Sequence, residues 1–449
     1  MNREKLLNGS ITKSLLAIAV PIIFANILQT VYQLIDTFWV GRLGIEAVAA
    51  VSLSFPILFF MISLAMGLVM ATSILVAQYN GKGDKNKVSF TVGQSFSLIV
   101  IMATILAIIG YFSSHYLLSF LTNNLLVLEQ ATSYLQISFM AILAMFIYNL
   151  FQSSLRGVGE VKVPLIIILI AVILNFFLDP VLMFGWKFIP AMGVSGVALA
   201  TLVTEYLSAI IGVIILVHGR YGIRLRLKDL KLRFFWIKKI FKLGLPSSLE
   251  MSSRSFGMVL MTFVVSLFGT LTIASFGIGM RIFSFIIIPA VGFSIATSAI
   301  VGNNLGARQH ERAEKIVKTG MKIGFFTLAG LGILLFIFAQ QISAFFVPQE
   351  TLLILESARF IQIMALTFGF IGMQMVIIGT LKAAGKTATA MFLALFNTIF
   401  LVVISYVLSS VFEMQQLGIW IAYPVSNVLS AGIAYYFYLR KDWLKKELV

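Results

Sequence analysis

The sequence predicts an all-α integral membrane protein: twelve transmembrane helices in two six-helix bundles related by a pseudo-two-fold axis along the membrane normal. Three observations carry this. Hydrophobic residues make up 60% of the 449 and charged ones only 11%, against about a quarter charged in soluble domains. Apolar runs of the roughly 20 residues needed to cross hydrocarbon recur along the chain, each ended by Gly, Asn, Pro or clustered charge. The chain is also written twice: Ala71-Thr72-Ser73-Ile74-Leu75-Val76-Ala77-Gln78-Tyr79-Asn80-Gly81 returns 225 residues later as Ala296-Thr297-Ser298-Ala299-Ile300-Val301-Gly302-Asn303-Asn304-Leu305-Gly306.

The spans are expected near 14–40, 47–79, 88–114, 126–155, 162–186, 193–218, 234–267, 270–303, 314–345, 351–382, 387–411 and 416–439. A membrane β-barrel would alternate every second residue in shorter segments, and Leu165 to Leu174 shows no such alternation. Further anchors support the duplication. Val20-Pro21 matches Leu245-Pro246, and Gly44 with its following Ile45-Glu46-Ala47 matches Gly269 with Thr270-Leu271-Thr272, at the same offset of 225. Leu155-Arg156-Gly157 resembles Leu381-Lys382-Ala383 at 226, and Gly196 to Ala200 resembles Gly418 to Ala422 at 222. An even number of spans per copy gives both copies the same topology, hence an axis along the membrane normal. The organisation predicted is an amino-terminal lobe 1–218, a basic cytoplasmic linker 219–242 acting as hinge, and a carboxy-terminal lobe 243–449.

Basic residues orient the chain, because the side that keeps Lys and Arg is normally cytoplasmic. Arg3, Lys5 and Lys13 precede the first span; Lys82, Lys85 and Lys87 follow the second; Arg156 and Lys162 follow the fourth. The linker is rich in Arg and Lys, and Arg308, Arg312, Lys382, Lys386, Arg440, Lys445 and Lys446 continue the same side. The alternate links hold little beyond Arg42, Lys187 and Arg359. Both termini are therefore expected in the cytoplasm of a multi-pass protein of the cell (inner) membrane. Topology accounts for the net charge of +16 without nucleic acid, and the expected surroundings are lipid bilayer around a monomer. The first apolar run contains Pro21, Gln29, Gln33 and Asp36 and lacks a short core with a small-residue cleavage site, so it reads as a retained span rather than a signal peptide.

Zero cysteines exclude disulfides and thiol chemistry, and His115, His218 and His310 all fall at helix ends or in loops, away from any metal cluster. Ionisable residues inside the spans are functional candidates by default, since burying one costs at least ~2.5 kcal/mol. Asp36 lies in the first span with Tyr32 and Gln33 nearby; the plainer alternative is an interface residue, because Gly41-Arg42 ends that helix. Asp179 stands four residues after Asn175, on one face of the fifth span, where the alternative is a hydrogen bond steadying a bend at Pro180. Glu205 lies in the sixth span, four beyond Thr201. Glu250 and Arg254, four apart in the seventh, read first as an ion pair within one helix. Tyr134, Gln136, Tyr148, Asn149 and Gln152 of the fourth span are cavity-lining candidates or helix glue.

Pro21 followed by Asp36 in the first span, Leu155-Arg156-Gly157 with Gly159 after the fourth, and Asn175 to Asp179-Pro180 in the fifth, set in a doubled six-span unit, resemble the multidrug and toxic compound extrusion (MATE) family over essentially the whole chain. Within it the sequence is more similar to the DNA-damage-inducible branch. That resemblance implies a cation site at Asp36, Asn175, Asp179 and Thr201, with Tyr134 and Gln152 at lobe-lining positions. The norfloxacin-efflux branch instead places acids in the seventh and tenth spans. Here the tenth has Gln374, and Glu250 stands about one turn earlier than that branch's acid, which argues against a second-half sodium site.

The resemblance implies export of organic, often cationic compounds by secondary active antiport against H+ or Na+, without cofactors. Two carboxyls in one lobe suit either ion: they would titrate as a pair, and Asp36, Asn175, Asp179 and Thr201 form an oxygen-only set for Na+. A flippase for lipid-linked precursors or polysaccharides from the same superfamily is the alternative, but it would want a more cationic cavity than Arg254 and Arg281 supply. A membrane-embedded enzyme would need a His, Cys or acidic cluster at catalytic spacing. A channel would need a filter motif or charged ring.

Overall fold

The computed structural model describes residues 3–445 and 448; Lys446, counted above among the basic residues, lies outside them. The helices are α1 (Arg3–Asn8), α2 (Ile11–Val40), α3 (Ile45–Lys82), α4 (Lys85–Ser119), α5 (Leu125–Gly157), α6 (Lys162–Phe184), α7 (Val194–His218), α8 (Phe234–Ser266), α9 (Thr270–Gly306), α10 (His310–Phe346), α11 (Thr351–Ala365), α12 (Phe368–Ala383), α13 (Thr387–Tyr406) and α14 (Gln415–Leu439). Among the described residues, ten helices are long and apolar enough to cross a membrane, and α11 with α12 makes an eleventh span. The twelfth is α8, whose Lys238, Lys239, Lys242, Glu250 and Arg254 lower its hydropathy. The chain is an all-α, multi-pass membrane protein with twelve spans in two bundles.

Local chemistry marks the helix ends. The Asp84 carboxylate accepts from the Lys87 amide at 2.9 Å, and the Asn124 carbonyl accepts from the Leu126 and Val127 amides at 3.0 and 3.3 Å, satisfying amides that have no partner inside α4 and α5. The duplication is visible in backbone geometry: Gly44 (φ 113°) opens α3 and Gly269 (φ 89°) opens α9, a conformation that L side chains avoid.

The tenth span, expected to be one helix over 351–382, is broken. α11 and α12 meet at 51°, with Leu366 and Thr367 between them and Gly369 just beyond. The Thr367 amide and hydroxyl both donate to the Met364 carbonyl at 3.1 Å, and the Asn427 amide donates to the Thr367 hydroxyl at 3.1 Å. These bonds compete with the helical ladder and hold the bend. Pro180, where a bend was expected, lies inside an unbroken α6.

Contacts divide the chain into two compact units: Met1–Arg3 with Phe24–Ser248, and Glu4–Ile23 with Leu249–Val449. The boundaries differ from those expected at the linker, because the first part of α2 and the first part of α8 each pack with the opposite half of the sequence. In the second unit the Asn304 amide donates to the Leu6 carbonyl at 3.2 Å, Arg312 donates to the Gly9 carbonyl, and Ile23 presses on Gly292, where a Cβ would lie 2.4 Å from its side chain. In the first unit the Ser248 hydroxyl donates to the Leu64 carbonyl at 2.6 Å.

Within the first unit α5 is the hub, packing against α3, α4 and α7. The Ser153 hydroxyl donates to the Val69 carbonyl at 2.7 Å. At Gly157, in the Leu155-Arg156-Gly157 motif, a Cβ would stand 2.6 Å from Val76, so α3 and α5 touch there only because the side chain is absent. The linker is not a free tether. The Gln94 amide on α4 donates to the Asp229 and Lys231 carbonyls at 2.7 and 2.8 Å, and its carbonyl accepts from the Arg233 amide at 2.8 Å. The Ser97 hydroxyl adds a bond to Leu230 at 2.8 Å. Within the second unit α9, α10 and α12 pack together, with α14 against α12 and α13.

Candidate functional site

Three helices of the first unit bring four of the candidate residues together. Tyr32 and Asp36 stand four apart on α2, Asn175 and Asp179 four apart on α6, and Thr201 and Glu205 four apart on α7, so each pair shares a helix face. Apolar contacts of Ala25, Tyr32, Leu28 and Ile35 with Leu165, Ile168 and Val172 hold α2 on α6. The Thr201 hydroxyl donates to Asp36 Oδ2 at 3.3 Å, and the Asn175 amide donates to Asp179 Oδ1 at 3.1 Å. Asp36 neighbours both Asp179 and Asn175. Asn175 and Asp179 are wholly buried.

The geometry leaves oxygens over. Asp36 Oδ1, Asp179 Oδ2 and Asn175 Oδ1 are buried without a hydrogen-bond partner, and each buried unpaired polar group costs roughly 1–3 kcal/mol. Two neighbouring carboxylates also repel. A proton added to one carboxyl supplies the missing donor, and Na+ uses the spare oxygens as ligands; the set holds no sulfur or imidazole that would favour a transition metal. Among the described residues there is no group of three or more His, Cys, Asp or Glu suited to a metal ion.

Other expected residues are distributed around this core. The Tyr32 hydroxyl lies 2.5 Å from the hydroxyl of Thr204, a buried partner that sequence reading missed. Glu205 Oε2 is buried without a partner. Tyr134 packs against Val40, Met183 and Val197, and Gln152 is buried. Gln33 is exposed and lies off the face that carries Tyr32 and Asp36. Three fourth-span candidates bond to backbone: Tyr148 donates to the Pro164 carbonyl at 2.9 Å, Asn149 to Met145 at 2.8 Å, and Gln136 to Tyr111 at 3.4 Å.

The second unit arranges charge differently. Glu250, 2% exposed, meets Arg254 at 3.2 Å and also Lys382, whose ammonium lies 3.0 Å from Oε1 and 2.8 Å from Oε2. The pair expected within one helix is thus a three-residue cluster. Lys382, expected on the cytoplasmic side after the tenth span, is buried at the end of α12; the available signal was its match to Arg156 in the repeat. A cavity of about 330 Å3 adjoins this cluster, lined by Arg254, Met261, Met280, Asn397, Leu401, Tyr423 and others of the same unit. Two of these are repeat-mates of the first-unit set. Met261 corresponds to Asp36 at the offset of 225 and Tyr423 to Thr201 at 222, while Asp179 maps between Leu401 and Ser405, where no acid occurs.

Fold and charge placement together define a multi-span transporter built from two six-span copies. The MatE family model matches residues 21–181 and again 246–407, so the chain belongs to the MatE family, and it does so twice over. It is 28% identical to the probable multidrug resistance protein YoeA of Bacillus subtilis (strain 168), over 99% of this chain and 97% of that one. It is 25% identical to a FAD transporter of Shewanella oneidensis, over 97% and 96%. A crystal structure of MATE in complex with MaL6 superposes with a TM-score of 0.92 at 25% identity, covering 100% of both chains. These relatives are transporters, not enzymes, and the chain is a transporter of the multidrug-resistance type.

Proposed function

We propose that the protein is a secondary active antiporter that exports small organic compounds in exchange for an inward-moving H+ or Na+, with Asp36, Asn175, Asp179 and Thr201 as the ion site. The observation that carries the proposal is the pair of neighbouring carboxylates whose Asp36 Oδ1 and Asp179 Oδ2 are buried without a partner. That arrangement is costly when empty and relieved by a cation, so ion binding has a large differential effect on this lobe. Loading removes the repulsion between the two carboxylates and lets α2 repack, which expels substrate to the outside. Inward opening then wets the site and releases the ion. Coupling to alternating access is the standard logic of transporters built from repeated bundles.

The first-unit ion set and Gln374 in the tenth span support the DNA-damage-inducible branch, though the relatives include a probable multidrug resistance protein NorM of Thermotoga maritima at 24% identity. The acids Asp36, Asp179 and Glu205 suit cationic cargo. The FAD transporter among the relatives supports a wider range, because its named cargo is aromatic and anionic. The proposed setting is the cell (inner) membrane, with both termini cytoplasmic and the protein a monomer. Purified protein in proteoliposomes, with pH and Na+ gradients imposed separately, tests the antiport. Export driven by at least one gradient is expected; export indifferent to both overturns the mechanism.

A further inference from the structure

We propose that the second-unit cavity is a binding site for flat, aromatic molecules carrying an anionic group, with Arg254 as the residue that receives the anion. The inference rests on the transporter reading for its place in export, but the site itself is argued from this unit alone. Its volume, about 330 Å3, is within the range of small-molecule sites. Met258, Met261, Met280 and Met375 line it with Phe276 and Phe283. Unbranched thioethers adapt to varied shapes and favour contact with aromatic rings, and the phenyl rings offer stacking surfaces.

Charge selects within that class. None of the residues lining the cavity is Asp or Glu. The neighbouring carboxylate, Glu250, is closed off by Lys382, with side chains 2% and 10% exposed and 2.8 Å apart. The cluster of Glu250, Lys382 and Arg254 therefore carries one positive charge in excess, and Arg254, 40% exposed, is the member that lines the cavity. Its contacts to Glu250 Oε1 at 3.2 Å and Met375 Sδ at 3.7 Å use the same terminal nitrogen. Nε and the second terminal nitrogen are left to meet a carboxylate or sulfonate, the planar anions that a guanidinium pairs with best. A cationic guest would face the same excess charge with no acid to receive it. The mate of Asp36 is Met261 and that of Asp179 falls between Leu401 and Ser405, where no acid occurs, so the feature that suits the first-unit site to cations is missing here.

The test compares fluorescein with rhodamine 123, which share a xanthene core and differ in charge, by fluorescence anisotropy on the purified full chain in lipid nanodiscs. Fluorescein is expected to bind about tenfold tighter than rhodamine 123, the scale of one charge-assisted contact. Arg254→Gln should remove that advantage while Arg254→Lys keeps most of it. Met261→Trp, which fills the cavity without altering its charge, should weaken fluorescein binding about as strongly. Equal or tighter rhodamine 123 binding, or fluorescein binding unchanged in Met261→Trp, overturns the proposal. Should Arg254→Gln unfold, Met261→Trp still decides. Failure of fluorescein to bind to a protein that exports compounds under an ion gradient removes this inference alone. Fluorescein binding without gradient-driven export removes the antiport reading alone.

Discussion

The same repeat position holds opposite chemistry in the two units. In the first, Asp36 and Asp179 face one another across α2 and α6 with buried oxygens left unpaired. In the second, Asp36 is matched by Met261 and Asp179 by a position between Leu401 and Ser405, none of them acidic, and the nearby acid, Glu250, has cationic nitrogens within 3.2 Å of Oε1 and 2.8 Å of Oε2. An unpaired buried acid is poised to respond to an ion; a doubly paired one is already satisfied. The two copies of the repeat thus differ at a few positions: one keeps unpaired carboxylates, the other a largely apolar cavity.

The largest effect that would break this comparison is at Asp36. Asp36→Asn removes a carboxylate but keeps the size of the side chain, so export is expected to fall to the level of cells without the transporter while membrane insertion is unchanged. Drug-resistance assays at matched expression check it; full resistance in the mutant would end the proposed role. Next comes Glu250→Gln, which leaves the buried Lys382 without its counter-charge and the more exposed Arg254 beside it. A loss of about 3–5 kcal/mol is expected, the usual result of removing one partner of a buried pair. A lowered melting temperature in detergent measures this, and adding Lys382→Met should restore much of it. An unchanged melting temperature would mean that Glu250 is not satisfied in the way described.

A subtler distinction lies within the first unit. Asp179→Asn should weaken the dependence of export on the ion gradient more than Lys187→Ala does, because Lys187 lies in the loop after α6. Proteoliposome transport at graded pH and Na+ compares them, and equal losses would count against Asp179 as an ion ligand. The smallest expected effect is at Gln94. Gln94→Ala deletes its three bonds to the linker, each worth about 1 kcal/mol net, and should speed tryptic cleavage around Arg226 to Lys231 several-fold. An unaltered cleavage rate would return the linker to the role of a loose hinge.

Periodicity and length made the spans legible, because hydrocarbon demands continuous apolar helix. The i,i+4 spacing of Asn175 and Asp179 and the depth of Asp36 pointed at residues that the fold does bring together with Thr201. Lys382 was hidden by its type: a lysine at the end of a span is ordinarily solvated, and only Glu250, more than a hundred residues away, draws it into the protein. The break at Thr367 was harder to read, because one of the bonds that hold it comes from a side-chain amide, Asn427, on another helix. The docking of the linker depends on Gln94, a residue whose importance follows from three backbone partners and from nothing in its local sequence. What escaped sequence reading is thus the set of long-range polar contacts, which leave no period behind.

The unit boundaries fall after Ile23 and after Ser248, the same point in each copy of the repeat. Each half of the sequence therefore completes its bundle with a segment belonging to the other half. Fragments made by cutting in the linker would each lack a segment that packs into their own bundle, and are expected to be viable only when produced together.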